Sequence, residues 1–277
     1  MFEFFDQALE EKEKQESSES TYSSDLSDSN DSSNSSSSYS SYSSYQASGK
    51  TIVFSVGGSL LGKEKLDLLA ITKLCTVLND LTSQGHKIVL AVGGGKLARE
   101  LIASIKSAGG NYFQQDLAGI QATKANALII INLIEKAFHE PLDNFTRIKE
   151  VFDSGKIPVV FGMLPGTTTD GIAALTAEFL KADLFVNLTN VSGIYSGDPK
   201  REKNVILLDS MDYNKLIKLV LTYASVSTGC HVPFDLFAAT IVKRSNIKAL
   251  VLNGNNTENL LKAVRGEQFI GTTISSV

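Results

Sequence analysis

The chain has 277 residues, 43% of them hydrophobic and 20% charged, with a formal net charge of −4. That length allows one large α/β domain or two small ones, and the charge excludes a basic nucleic-acid-binding coat. Two cysteines, Cys75 and Cys230, exclude a disulfide framework and a four-cysteine zinc site, and no apolar run approaches the roughly 18 residues of a membrane span.

The charge is unevenly distributed. The first 49 residues carry ten acids and two lysines, Lys12 and Lys14, which leaves the remainder near +4. From Ser17 to Ser48 the chain is mostly serine, with only Leu26 and Ala47 as aliphatic residues. Such a segment cannot bury enough surface to offset its backbone entropy, so residues 1–49 read as a disordered acidic tail with no identified partner. Within it, Phe2, Phe5 and Leu9 have helical spacing, which fits a short docking helix or a frayed terminus. A basic first segment and a continuous apolar run are both missing, so the start is not a secretory signal and a cytoplasmic location is expected.

After Lys50 the pattern changes. Thr51–Val56 is a short apolar run ending in Gly57-Gly58-Ser59, and a helix follows over Leu66–Leu81. Lys87–Val92 is a second buried-strand pattern, ending in Gly93-Gly94-Gly95, with a helix from Lys96 to about Ser107. Further strands are expected at 157–161, 184–188 and 249–252, and helices at 120–138, 171–182, 212–222 and 235–245. Strands alternating with helices predict a mainly parallel sheet covered on both faces. Ligands then bind beyond the carboxyl ends of the strands, where the glycine turns fall.

Those turns nearly match several phosphate motifs. Gly57 to Glu64 has the spacing of a P-loop, but Glu64 stands where a Ser or Thr would hold Mg²⁺, and an acid there repels phosphate. The amides of Gly57, Gly58 and Ser59 can still approach phosphate oxygens, because no side chain blocks them. Gly93-Gly94-Gly95-Lys96-Leu97-Ala98 fits a dinucleotide fingerprint, with Asp116 about where a ribose-binding acid is expected. Yet Asn111–Gln115 is a poor second strand, and a tight turn with close helix packing explains the glycines too. Phosphate at the amino end of the following helix is favoured by its amides and dipole, and Arg99, one turn on, can add a charged fork. In Gly162–Asp170, three threonine hydroxyls and backbone amides offer a second phosphate site, while Asp170 suits either a helix cap or a functional role. Thr189-Asn190 to Tyr195 and Asp198-Pro199 form a polar turn after a strand, a candidate base pocket.

Taken together, Val56-Gly-Gly-Ser59, Val92-Gly-Gly-Gly-Lys-Leu-Ala-Arg99, Asp116–Ala127, Gly155–Val159, Thr168-Thr-Asp170, Ala177–Asp183, Thr189–Tyr195, Asp198-Pro199, Arg265-Gly-Glu267 and Gly271–Ile274 resemble the amino acid kinase superfamily. Within it they resemble the archaeal-type uridylate kinases, over about Thr51 to Ile274. No single segment is decisive; their order and spacing are, and a chance dinucleotide-fold match does not explain them.

The resemblance implies a three-layer α/β/α sandwich spanning residues 50–277, with a phosphate-acceptor half at about 50–165 and an ATP half at about 166–277. It implies transfer of the γ-phosphoryl group of ATP to UMP with Mg²⁺, usually in a homohexamer. Carried over by motif, Gly94, Asp116 and the loop of Met163, Leu164, Pro165, Gly166, Thr167, Thr168 and Thr169 would hold UMP. Gly58, Ser59, Gly95, Arg99, Thr189, Asn190, Tyr195 and Asp198 would hold ATP. Asp170, Arg99 and Lys96 would serve the transfer, Asp170 by orienting the cationic groups of the site. No metal ligands in the protein itself are indicated. Phosphoryl transfer needs positioning and charge neutralisation more than covalent chemistry, which suits this residue set.

Several positions depart from the family pattern. The third loop usually reads Gly-Gly-Thr-His-Pro-Gly-His; here Phe161-Gly-Met-Leu-Pro-Gly-Thr167 replaces polar groups with apolar ones, which weakens discrimination between acceptors. The usual arginine is Lys124, which loses bidentate geometry. A family lysine is Thr240, an aspartate is Ser192, and the lysine many members carry in the first strand is Ser55. Lys96, Lys124 and Lys243 are candidate replacement cations. These departures leave two alternatives beside UMP kinase activity: a kinase for another small acceptor, or a non-catalytic nucleotide-binding or storage protein on the same fold. Elsewhere, Cys75 reads as core, His86 and His139 as solvated, and Cys230-His231 as an ordinary loop pair.

Overall fold

The computed structural model describes residues 49–62, 65–197, 204–226 and 233–276, with the side chains of 224–226 excepted. The tail, Glu64, Asp198 and the Cys230-His231 pair therefore lie outside the described residues.

Five apolar runs form parallel strands: β1 Thr51–Val56, β2 Lys87–Val92, β3 Val159–Val160, β4 Leu184–Thr189 and, numbered in chain order, β6 Ala249–Asn253. Two short strands, β5 Ser210–Met211 and β7 Thr272–Ile274, complete a seven-stranded sheet of order β3-β2-β1-β4-β6-β7-β5. β7 runs antiparallel to β6 and parallel to β5. The fold is thus mainly parallel, as expected, with an antiparallel margin that the sequence reading did not anticipate. Central strands read as unbroken apolar runs because both their faces are covered.

Among the described residues there are eight helices, α1 Leu68–Ser83, α2 Gly95–Ser107, α3 Tyr112–Ile131, α4 Phe145–Asp153, α5 Thr169–Phe179, α6 Tyr213–Val226, α7 Leu236–Arg244 and α8 Thr257–Arg265; all but α2, which buries none of its residues and packs on α3, contribute to the cores on the two sheet faces. Alternate strand residues feed two cores. Val53, Val89 and Phe185 pack on one face with residues of α4, α5, α6 and α7, such as Ile148, Ile172, Leu216 and Ile241. Ile52, Phe54, Leu90 and Val186 pack on the other with residues of α1, α3 and α8, such as Leu78, Ile130 and Leu260. Each large side chain fully buried this way stabilises the fold by about 1.5–3 kcal/mol. Cys75 joins the second core, where burial pushes its thiol up to about 11.

Three expectations need correction. The helix expected over 120–138 is α3, which starts eight residues earlier and stops at Ile131. Its start is fixed by a capping box in which Asn111 accepts from Gln114 N at 3.0 Å and Gln114 Oε1 accepts from Asn111 N at 2.9 Å. The strand expected over 157–161 shrinks to Val159–Val160, with Ile157 reduced to an isolated bridge to Ala137. Helices α4 and α8 were not expected at all; each is nine residues long and begins at an asparagine cap, Asn144 or Asn256.

Candidate active site

All five parallel strands end at one edge of the sheet, and the turns that leave them begin by continuing the ladder. Gly57 N donates to Leu188 O at 3.0 Å, Gly93 N to Val56 O at 3.0 Å and Gly254 N to Thr189 O at 2.9 Å. The chain leaves β1 toward β2 and β4 toward β6, on opposite sides. The strand order therefore reverses between β1 and β4, where ligands of open α/β sheets bind.

At this edge the first two glycine turns meet backbone to backbone. A Cβ on Gly58 would lie 2.1 Å from Gly95 N, and one on Gly95 would lie 2.5 Å from Gly58 O. Gly95 also has a φ of +60°, which L side chains rarely adopt. Gly94 supplies no side-chain cap to α2, so the first amides of that helix have no capping partner of their own. The turn after β1 closes as a short 3-10 segment, Gly58–Leu60.

Two clefts flank this contact. One of about 760 Å³ is lined by Ser59, Lys65, Asp67, Lys96, Asn190 and Asn255 among others; a smaller one of about 210 Å³ includes Gly58, Gly94, Gly95, Lys65, Lys96 and Asn126. Lys96 and Lys65 line both, and Arg99 lines neither. Lys96 pairs with Glu100 at 3.3 Å. Lys124 stacks its ammonium 5.4 Å from the Phe161 ring. Lys243 lies near the start of β6, at the opposite edge of the sheet, in a cavity with Asp212 and Tyr213.

The third loop is held by the helix before it. Gly166, at φ +81°, donates its amide to Asp116 Oδ2 at 2.8 Å. Asp116 thus sits in α3, not at a strand end, which removes the dinucleotide reading of the Gly93–Ala98 turn. Gly162 N donates to Thr123 Oγ1 at 2.9 Å, and a Cβ on Gly162 would strike Ile120. Two of the three threonine hydroxyls expected to face phosphate have partners inside the fold. Thr167 Oγ1 donates to Leu164 O at 2.6 Å. Thr168 caps α5, accepting from Gly171 N at 3.0 Å, and donates to Asp235. Met163 is half-buried, whereas Leu164 is 61% exposed beside Pro165.

Asp170 follows as the second residue of α5, so Thr168 and not Asp170 is the cap. Its Oδ1 accepts from Ser55 Oγ at 2.6 Å and its Oδ2 from Asn187 Nδ2 at 3.0 Å. Burial pushes its carboxyl up from 3.8 to about 6, against the lowering by the Ser55 bond; nearby Asp235 raises it further and the Asn187 bond lowers it. After β4, Thr189 O accepts from Gly254 N, Asn190 is exposed, and Tyr195 is half-buried and bridged to Leu207.

Sequence reasoning missed Lys65, Asn126 and Asn187 as site-edge residues. Asn126 is buried and donates to Gly93 O at 2.9 Å, fixing the second glycine turn. A signal was present for Asn187 and Ser55: each is the one polar residue within an otherwise apolar five-residue stretch, Ile52–Val56 or Leu184–Leu188.

Residues 50–253 match the model of the amino acid kinase family. Uridylate kinase from Archaeoglobus fulgidus is 38% identical over 224 residues, covering 81% of this chain and 99% of that protein. Uridylate kinase from Thermococcus sibiricus is 38% identical over 217 residues, covering 78% and 96%. The crystal structure of the Archaeoglobus fulgidus enzyme superposes with a TM-score of 0.72 at 39% identity, covering 81% of this chain and all of that one. UMP kinase from Bacillus anthracis, at 18% identity and a TM-score of 0.69, shares the fold. The chain belongs to the amino acid kinase family.

Proposed function

We propose that the protein transfers the γ-phosphoryl group of ATP to UMP, giving UDP and ADP. The observation that carries this reading is the backbone contact of the Gly58 and Gly95 turns beside the point where the strand order reverses, with Asp170 in the first turn of α5 bonded to Ser55 on β1. Two anions must be brought together there, and amides without obstructing side chains offset their repulsion. Names of relatives sharing a third or more of their residues support the acceptor.

In this reading ATP takes the turns of Gly58, Ser59 and Gly95 with Thr189, Asn190, Tyr195 and Asp198. UMP takes Gly94, Asp116 and the loop from Met163 to Thr169. Lys96 and Arg99 neutralise phosphate charge, and Asp170 orders the reacting groups. The acceptor half is about 50–165 and the ATP half about 166–277. Among the described residues no group of three or more His, Cys, Asp or Glu is placed to cage an ion. That donor set fits Mg²⁺ held mainly by phosphate oxygens, with one or two carboxylates at most. The ion supplies charge neutralisation on the transferring group. The exposed Tyr112, Phe113 and Leu117 of α3 support a homo-oligomer, a hexamer by resemblance. Among the described residues no helix is long and apolar enough to cross a membrane; a cytoplasmic site of action is part of the proposal.

A coupled assay with ATP, Mg²⁺ and a panel of nucleoside monophosphates tests the proposal. Turnover of UMP well above that of CMP is expected. The apolar Met163 and Leu164 favour one other reading, a kinase with a different small acceptor; preference for another acceptor in the same panel would establish it. No turnover of any acceptor, with ATP still stabilising the fold, would replace both with a nucleotide-binding role.

A further inference from the structure

We infer that Ser55 and Asn187 act as one positioning pair for Asp170, fixing its carboxylate at the strand-order reversal with two neutral donors in place of a cation. The inference rests on the reading of Asp170 given above. Ser55 on β1 and Asn187 on β4 are direct partners in the parallel register of the two central strands. Both are shut away from solvent, at 0% and 3% exposure. Ser55 gives its single hydroxyl hydrogen to Oδ1 and Asn187 gives an amide hydrogen to Oδ2, so both carboxylate oxygens are taken. The second amide hydrogen of Asn187 goes to Pro233 O at 2.9 Å. The same side chain therefore ties α5 to the segment that leads into α7.

The charged group facing Asp170 from that side is Asp235, the cap of α7, which Thr168 bridges by donating to its Oδ2. From β1 and β4 the facing groups are the neutral Ser55 and Asn187, and among the described residues Asp170 has no Lys, Arg or His ion pair. A carboxylate without a cation and beside a second carboxylate depends on its hydrogen-bond donors to stay ionised. The pair also sits on two interior strands that are each paired on both sides, so the carboxylate is held from the scaffold and not from the loops.

A plain structural role, in which the two polar side chains only find buried acceptors in the Asp170 carboxylate, makes different predictions. Asn187→Val and Ser55→Ala are compared with the intact chain on the acceptor that the panel assay identifies. Each is expected to lower kcat about tenfold with both KM values within about twofold, because a lost transition-state position shows in kcat. Each is also expected to move the acid limb of the kcat profile to higher pH, because loss of a donor favours the protonated carboxyl. Ser55→Thr, which keeps the hydroxyl, is expected to retain activity within about threefold, a discrimination a mere cavity would not make. In an Asp170→Asn background the two substitutions should have little further effect on kcat.

An unmoved acid limb, or full multiplicative losses in the Asp170→Asn background, would overturn the pair; so would an Asp170→Asn enzyme as active as the intact one. Failure of UMP alone in the panel leaves the test running on the preferred acceptor, so the two readings fail separately. The pH dependence of thermal unfolding reads the same clamp without turnover: its Asp170 transition should shift upward in both variants, and an unshifted transition would overturn the inference. Ser55→Ala carries every arm should Asn187→Val not fold.

Discussion

Ser55 and Asn187 face one another across β1 and β4, and between them they occupy both oxygens of the Asp170 carboxylate. The site is thereby built on a group that the fold destabilises when charged. Burial and Asp235 raise its carboxyl to about 6, and two neutral donors only partly offset them.

That has a consequence for stability. The folded value lies above the unfolded one, so the folded state holds the proton more tightly. The stability this confers is present below about pH 4 and is lost as pH rises through about 6. Asp170→Asn is therefore expected to lower kcat sharply, to a residual rate that can still be measured, yet raise the stability by about 1–3 kcal/mol at pH 8. The gain should vanish near pH 4. Urea melts at the two pH values check this, and a variant less stable at pH 8 would contradict it.

The glycine contact predicts the opposite behaviour, a loss of stability at every pH. At Gly58 the obstruction is the Gly95 backbone at 2.1 Å, and backbone cannot rotate aside as a flexible side chain can. Gly58→Ala must separate two turns that are each fixed to a strand by a ladder bond, Gly57 N to Leu188 O and Gly93 N to Val56 O. A cost of about 2–4 kcal/mol is expected, with turnover lost. Gly109→Ala is the control for glycine replacement as such: it too has a positive φ, +83°, but nothing lies within 4 Å of its added Cβ. It should cost only the backbone strain, about 1 kcal/mol.

How much of this was legible follows from what each feature depends on. Strands β1, β2, β4 and β6 could be read because both sheet faces demand apolar residues in an unbroken run. The start of α3 could not be read by periodicity, because its buried stripe is Gln115, Gly119, Ala122 and Asn126, small or polar at nearly every step. The Asn111–Gln114 capping box was the usable signal there. Helices α4 and α8 carried similar asparagine caps. The glycine turns of the site were visible, since a strand followed by glycine is a local pattern. The Ser55–Asn187 pair was not, because it is made by strand register, which no spacing along the chain encodes. The hydroxyls of Thr167 and Thr168 looked free in sequence, and their internal partners appear only once the loop is folded.

Asp116 supports a prediction about the acceptor alone. Its Oδ2 fixes the Gly166 amide, so it holds the loop of Met163 to Thr167 from outside. Asp116→Ala is expected to raise KM for UMP about tenfold and leave KM for ATP within twofold. The bond is exposed, so global stability should change little. An equal rise in both KM values would show that Asp116 does not belong to the acceptor side.

The two cations of α2 separate in the same manner. Lys96 and Arg99 were paired in the sequence reading as neutralising groups, and they lie on the same helix one turn apart. Lys96 is half-buried, lines both clefts beside the glycine contact and, among the described residues, pairs with the neighbouring Glu100, whose carboxylate is itself exposed. Such a surface pair contributes at most about 1 kcal/mol, so a nucleotide phosphate readily displaces it. Arg99 is exposed and lines neither cleft. Charge fixed near the transferring group stabilises the transition state more than charge that must be brought there. Lys96→Ala is therefore expected to lower kcat/KM for ATP by about 100-fold, and Arg99→Ala by about tenfold, with affinity and turnover falling together. Steady-state kinetics of the two variants decide the order. A greater loss for Arg99→Ala would transfer the principal phosphate contact to the arginine and require α2 to turn toward the β1 loop when nucleotide binds.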